Sequence, residues 1–157
     1  MKAKKKSSKI TLIILLTVVF LFIVYNIVWG LVIQNKYGVY ITGMDEIYAL
    51  RTYAIADKDG YTYNVKIPDY LSYTGNLGVQ PSSGGECALL IWPGIGKETE
   101  FGVFIPAENG RMRAVKLTRD GMPLENAPDE VVLLVEQNRD KIDALFEKAE
   151  EMWVGLY

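Results

Sequence analysis

The stretch "LLIWPGIGKETEFGVFIP", residues 89–106, contains a glycine pair followed by a lysine and a hydroxyl residue, which could bind phosphate. A phosphate-binding loop needs G-x-x-x-x-G-K-[ST], because successive backbone N–H groups must curl around the phosphates. Here Glu98 stands where the metal-binding hydroxyl is required, and Ile91 stands where the first glycine is required. The sequence therefore predicts a hairpin loop, Pro93 to Thr99, between the apolar strands "CALLIW" and "EFGVFI".

A second stretch with possible chemistry is Asp57-Lys58-Asp59-Gly60, which shares residue types with calcium-binding loops. Such a loop needs D-x-[DN]-x-[DN]-G and a glutamate six residues after the glycine. Gly60 directly follows Asp59, and Lys66 occupies the glutamate position. We therefore expect a tight turn between two strands, and no calcium site.

Catalytic side chains are scarce in this chain. It has no histidine, which excludes Ser-His-Asp and Cys-His arrangements and the usual zinc sites. The single cysteine, Cys87, begins an apolar run and is expected to be buried as a small hydrophobic residue. No pair of carboxylates stands out by its spacing. We expect a protein that is not an enzyme, with no catalytic residue, metal, cofactor or small-molecule substrate.

The N-terminus has the pattern of a membrane anchor. Residues 1–9, "MKAKKKSSK", carry five lysines and no acid, and the 24 residues Ile10–Ile33 carry no charge. That length can cross a hydrocarbon core of roughly 30 Å. The lysines predict that residues 1–9 are cytoplasmic, followed by an anchor at 10–33, a tether at 34–44 and an extracytoplasmic domain at 45–157. The alternative is a signal peptide cleaved after Gly30.

The part of the chain beyond the span is acidic. Twelve of the 17 basic residues and all 19 acidic residues follow Ile33, which gives this part a net charge of −7. Nucleic-acid binding depends largely on neutralising phosphates with basic side chains. The sequence therefore predicts no nucleic-acid partner, and a membrane contact through Ile10–Ile33.

The outer domain is expected to be α+β. Short β-prone runs separated by turn signals predict an antiparallel meander of about five to six strands. Near the end, apolar residues recur at spacings of three and four between Val131 and Trp153. This pattern predicts an amphipathic helix of about seven turns, or two shorter helices interrupted at Asn138, packed on one face of the sheet.

The opposite face of this sheet is the candidate binding surface. Successive side chains of a strand point to opposite sides of the sheet. If Val103 and Ile105 face the helix, Phe104 therefore points away from it, and the same alternation points Leu90 and Trp92 away from the helix. Aromatic side chains on an uncovered face are typical of protein-binding surfaces. We therefore predict four partner-binding residues: Leu90, Trp92, Phe104 and Tyr53. The alternative is that the tether or a loop folds over this face.

The layout resembles the TipC-type immunity proteins of Gram-positive bacteria. The resemblance covers the lysine-rich start, the span, "DEIY" at Asp45–Tyr48, the strand-rich middle and the terminal "FEKAEEMW", Phe146–Trp153. It implies a single-pass protein of the cell membrane whose outward domain binds and neutralises a toxin secreted by a type VII system. It identifies no toxin-contacting residue by motif. The alternative function is an accessory or structural subunit of a cell-envelope or secretion complex.

Overall fold

The computed structural model describes residues 2–48, 51–106 and 110–156. The chain divides into two compact units, Met1–Lys36 and Tyr37–Tyr157. The first unit is helical, and the second is an antiparallel sheet followed by helices. The predicted α+β class is thus confirmed.

Helix α1 (Lys2–Tyr37) contains the charge-free segment. Its large apolar side chains between Ile10 and Ile23 are exposed on every side. At 1.5 Å per residue the 36-residue helix is about 54 Å long. Among the described residues it is the one helix long and apolar enough to cross a membrane. The residues expected to form a tether, 34–44, are helical up to Tyr37 and belong to the second unit from that residue on.

In the described part of the second unit, seven strands form one antiparallel sheet in chain order. The strands are β1 (Asp45–Tyr48), β2 (Thr52–Lys58), β3 (Tyr61–Lys66), β4 (Asn76–Pro81), β5 (Ala88–Trp92), β6 (Glu100–Pro106) and β7 (Met112–Leu117). The expected number of five to six is therefore wrong by at least one strand.

The additional strand is β1, which pairs antiparallel with β2. The sequence between them contains no glycine or proline to indicate a reversal. Arg51, just before β2, instead adopts a left-handed conformation with φ of 59°. A residue other than glycine adopts this conformation uncommonly. The β-prone run Tyr48–Ala56 predicts a single strand, whereas β1 ends at Tyr48 and β2 begins at Thr52.

The two turns with clear signals form as expected. Asp59 and Gly60 both have positive φ, 54° and 80°, as a two-residue hairpin turn requires. The segment Pro93–Thr99 joins β5 to β6, which pair antiparallel from Ala88–Phe104 to Trp92–Glu100. The turn expected at Glu108-Asn109-Gly110 falls partly outside the described residues.

The C-terminal pattern forms two helices, α2 (Asp129–Gln137) and α3 (Arg139–Met152). The break lies at Asn138, as the two-helix alternative predicted. Asn138 leaves the helical conformation, with φ of −113° and ψ of 16°, and its Nδ2 donates to the Leu134 carbonyl oxygen at 2.9 Å. A short amide side chain that bonds the backbone favours helix ends over helix interiors.

The core lies between the helices and one side of the sheet, which we call the first face. Phe101 on this face contacts Phe146 of α3, with ring centroids 5.7 Å apart. The buried residues of the first face are Tyr63, Val65, Leu77, Val79, Leu89, Ile91, Phe101, Val103, Ile105, Val115 and Leu117, and those of the helices are Val131, Val135, Ile142, Leu145 and Ala149. The other side of the sheet is the second face.

One end of the sheet is fastened by Tyr37. The backbone N–H of Gly75 donates to the Tyr37 hydroxyl oxygen at 3.0 Å, and that hydroxyl donates to the Pro93 carbonyl at 3.2 Å. Gly75 ends the connection between β3 and β4, and Pro93 begins the connection between β5 and β6. Both connections therefore lie at the same end of the sheet, which we call the Tyr37 end.

Candidate functional site: the second face of the sheet

Three of the four predicted partner-binding residues lie together on the second face. Leu90 and Trp92 alternate with the buried Leu89 and Ile91 on β5. Phe104 lies on β6 opposite Ala88 of β5. All three side chains are half-buried. The alternation that predicted this surface is therefore present in both strands.

Tyr53 does not belong to this group, and its assignment is corrected. It lies directly opposite Val65 on β3. Val65 is opposite Leu77, which is opposite Ile91, so this row of residues belongs to the first face. Directly opposed residues of an antiparallel pair point to the same side of the sheet. The sequence did not indicate β1 or the turn between β1 and β2, so Tyr53 was grouped with the wrong face.

Two glycines give the second face its shape. Gly78, Leu90 and Gly102 lie opposite one another on β4, β5 and β6. The Trp92 ring lies across Gly102, since a Cβ built on that glycine would be 3.0 Å from the ring. The Asn64 side chain lies over Gly78 in the same manner, 2.7 Å from such a Cβ. The glycines therefore let larger neighbours lie flat on the sheet.

An apolar groove of about 310 Å³ follows from this arrangement. Its lining includes Leu90, Trp92, Gly102, Phe104, Ala114 and Lys116. We call it the Trp92 groove. Because Ala114 carries only a methyl group, a side chain from outside could approach the sheet beside the aromatic rings. Grooves lined by a few large apolar residues are suited to a protein anchor residue.

Charged residues border the groove. Glu100 lies opposite Trp92, and its carboxylate accepts hydrogen bonds from Lys97 Nζ at 2.7 Å and Lys116 Nζ at 3.2 Å. These two bonds, Lys97 first, lower the pKa of Glu100. A carboxyl group whose pKa is lower in the folded protein than in the unfolded chain stabilises the fold at a pH above its unfolded-state pKa. This stabilisation is lost as the pH falls through the folded-state pKa of the same group. The border is therefore charge-paired at neutral pH.

A larger groove, about 700 Å³, lies near the C-terminal end of β7. Its lining includes Glu98, Thr99, Arg119, Leu124 and Leu156. Two glutamates and two basic residues are among its lining, so the groove has no uniform charge. The lining therefore specifies no particular ligand chemistry.

Cys87 has the properties expected of a buried residue. It is almost fully buried, and its Sγ lies 3.7 Å from Asn138 Oδ1. Burial raises the pKa of the Cys87 thiol. The reactive form of cysteine is the thiolate, so this environment disfavours nucleophilic chemistry.

Removing the lysine of "GIGKET" is expected to have little effect. Lys97 is exposed and its Nζ pairs with Glu100 at 2.7 Å, a surface ion pair of small energy. We expect Lys97→Ala to change the free energy of unfolding by less than about 1 kcal/mol and to leave partner affinity unchanged. Urea unfolding and a binding titration measure both. Lys141→Ala, which removes a similarly exposed lysine of α3 that pairs with Glu86, is the matched control. A selective loss of affinity in Lys97→Ala would contradict a purely structural role for this loop.

Several groove residues were not identified from the sequence. Gly102, Ala114 and Lys116 join Leu90, Trp92 and Phe104 only through the pairing of β5 with β6 and of β6 with β7. Alternation within each strand indicated which residues share a face. Which residues become neighbours across strands depends on the pairing register of the two strands, and the sequence of one strand does not determine that register.

No protein-family model, curated protein or solved structure matches the chain. The function must therefore be argued from the second face and the N-terminal helix.

Proposed function

We propose that this chain is a membrane-anchored immunity protein that captures a secreted antibacterial toxin outside the cell. The observation that carries the proposal is the Trp92 groove on the face of the sheet opposite α2 and α3. The resemblance to TipC-type immunity proteins supports a toxin as the partner. In this proposal the domain neutralises the toxin by binding it, without a chemical step.

The shape of the groove supports binding to a protein. Trp92 and Phe104 offer large apolar surfaces, and the small side chain of Ala114 leaves space beside them. Tryptophan is among the residues that most often dominate binding energy, especially near the centre of an interface. The paired charges of Glu100 and Lys116 would form a polar rim. This combination of an apolar centre and a polar rim is typical of protein interfaces.

The charge of the domain supports a basic partner surface. All 19 acidic residues lie beyond the span, with a net charge of −7 for that part of the chain. Opposite charges speed association and suppress wrong partners more than they raise affinity. We therefore propose that the toxin presents a positively charged surface around an apolar anchor residue.

The N-terminal sequence supports a location at the membrane. Helix α1 is long and apolar enough to span a membrane, and five lysines precede its charge-free segment. Positive residues are enriched on the cytoplasmic side of a span. We therefore propose an N-terminus in the cytoplasm and a domain outside, where a secreted toxin would arrive.

The location and the protection can be tested together. We expect protease added to intact cells to remove the domain, because the lysines keep the N-terminus inside. The readout is an epitope at the C-terminus, with a cytoplasmic protein as the control for cell lysis. Cells that produce the chain are expected to survive exposure to the proposed secreted toxin, whereas cells without it are not; the product of the neighbouring gene is the first candidate to test.

Three results would contradict the proposal. Protection of the epitope in intact cells would overturn the orientation. A mature N-terminus at Leu31 would show that the helix is cleaved. Equal toxin sensitivity with and without the chain, together with stable association with envelope proteins in the absence of toxin, would favour the accessory-subunit function.

A further inference from the structure

The connection between β3 and β4, residues 67–75, exposes three large side chains. Tyr70, Leu71 and Tyr73 are 50%, 58% and 41% exposed. Single exposed apolar residues are normal on protein surfaces, but a cluster marks a contact with a partner or a membrane. We call this connection the 67–75 loop.

The exposed residues are carried by a folded turn. The Ser72 N–H donates to the Asp69 carbonyl at 2.9 Å, and the Thr74 N–H donates to the Ser72 hydroxyl at 3.2 Å. Leu71 has a φ of 64°, in the left-handed region that a residue other than glycine adopts uncommonly. Such a conformation persists only where its surroundings hold it in place. The loop therefore presents Leu71 outward in a defined conformation.

The base of the loop is fixed to the residue at which the domain begins. Gly75 N–H donates to the Tyr37 hydroxyl, and Tyr37 is fully buried in the domain. Tyr37 is also the last residue of α1, only four residues after the charge-free segment ends at Ile33. Four helical residues advance about 6 Å. The polar layer on each side of a bilayer is roughly 5–7 Å thick, so the loop base is within reach of the lipid headgroups.

The side chains suit that layer. Tyrosine is enriched at membrane–water interfaces, where its ring meets the acyl boundary and its hydroxyl meets the headgroups. At the start of the loop, Lys66 and Asp69 form an ion pair at 3.0 Å. Interfacial binding strengthens with the apolar area that is buried, so an apolar tip of this kind does not require an anionic lipid surface.

We propose that the 67–75 loop is a second membrane contact, in which Tyr70, Leu71 and Tyr73 enter the interfacial layer of the outer leaflet. The contact depends on α1 spanning the membrane and not on the toxin-binding proposal. It holds the Tyr37 end of the sheet at the membrane surface.

The test uses the full chain in nanodiscs of zwitterionic phosphatidylcholine. Leu71→Cys is labelled with a polarity-sensitive fluorophore, and nitroxide-bearing lipids of shallow or deep position serve as quenchers. Cys87 is buried, so the wild-type chain is the labelling blank. Met112→Cys is the matched control, because Met112 is an exposed apolar residue that begins β7 at the end of the sheet opposite Tyr37.

The label at position 71 is expected to shift to shorter wavelength and to be quenched more by the shallow nitroxide than by the deep one. The label at position 112 is expected to show neither change. Tyr73→Cys provides a second labelled position if Leu71→Cys does not fold. Unquenched emission at positions 71 and 73, or equal quenching at position 112, would overturn the proposal.

Discussion

Replacing Trp153 with alanine is expected to lower the free energy of unfolding by about 3–5 kcal/mol, as for other buried aromatic residues. The Trp153 side chain is almost fully buried. Its ring meets that of Tyr63 edge to face, with centroids 5.9 Å apart. Its Nε1 donates to the Tyr40 carbonyl oxygen at 3.0 Å. One residue thus joins the end of the helical region, the sheet and the first segment of the domain.

Two further variants separate these contributions. Trp153→Phe keeps an aromatic ring but leaves the buried Tyr40 carbonyl without its donor, and we expect a loss of about 1–3 kcal/mol. Val154→Ala is the control, because Val154 is 92% exposed and directly follows Trp153. Urea unfolding of the full chain in detergent measures all three variants. A Trp153→Ala variant as stable as Val154→Ala would show that this tryptophan does not hold the domain together.

Alanine at Trp92 or Phe104 is expected to weaken toxin binding by roughly thirtyfold or more, since truncating a central aromatic commonly costs at least about 2 kcal/mol. Both rings line the Trp92 groove and are half-buried before any partner binds. A smaller loss of stability is expected than for Trp153→Ala, because the Trp92 ring lies over Gly102 at the surface. A binding titration and urea unfolding of each variant measure the two effects.

Two controls make this result specific. Leu133→Ala removes an exposed apolar side chain on α2 and should change neither affinity nor stability. Phe146→Ala should lower stability and leave affinity unchanged, because its ring contacts Phe101 on the first face. If Trp92→Ala and Phe104→Ala unfold as readily as Phe146→Ala, the second face is also core. If they alter neither quantity, the partner docks elsewhere, on an acidic loop or an edge strand.

Much of the fold could be predicted from the sequence because the spacing of apolar residues matches the pattern of buried residues in the strands and helices. The alternation of Phe101, Val103 and Ile105 with Phe104 corresponds to the two faces of β6. Spacings of three and four predicted the helical region, and Asn138 predicted its break. In each case the period of the side chains matches the period of the backbone that carries them.

The remaining features depend on interactions between distant segments. The reversal before β2 has no glycine or proline signal, so β1 was missed and Tyr53 was placed on the wrong face. Strand alternation predicts that Gly102 and Trp92 share the second face. The Trp92 ring lies over Gly102, however, only because β5 and β6 pair in one particular register. Register is a tertiary property, since it depends on which strands meet and where.

The start of the domain also differs from the expected tether. Tyr37 and Tyr40 read as part of a short connector, yet both are buried in the second unit. Their polar atoms bond to Gly75, Pro93 and Trp153, all distant in sequence. When the side chains of a segment bond to residues distant in sequence, no local pattern in that segment predicts that it belongs to the folded domain.

Site-specific photo-crosslinking is the most direct measurement of where the partner docks. A photoreactive amino acid is placed at Phe104 on the second face, and at Leu133 on α2 as the control. The full chain in nanodiscs is then mixed with the proposed toxin and irradiated. We expect a covalent adduct with the toxin from position 104 and none from position 133. An adduct from position 133 alone, or from neither position while the toxin still binds, would contradict a partner site on the second face.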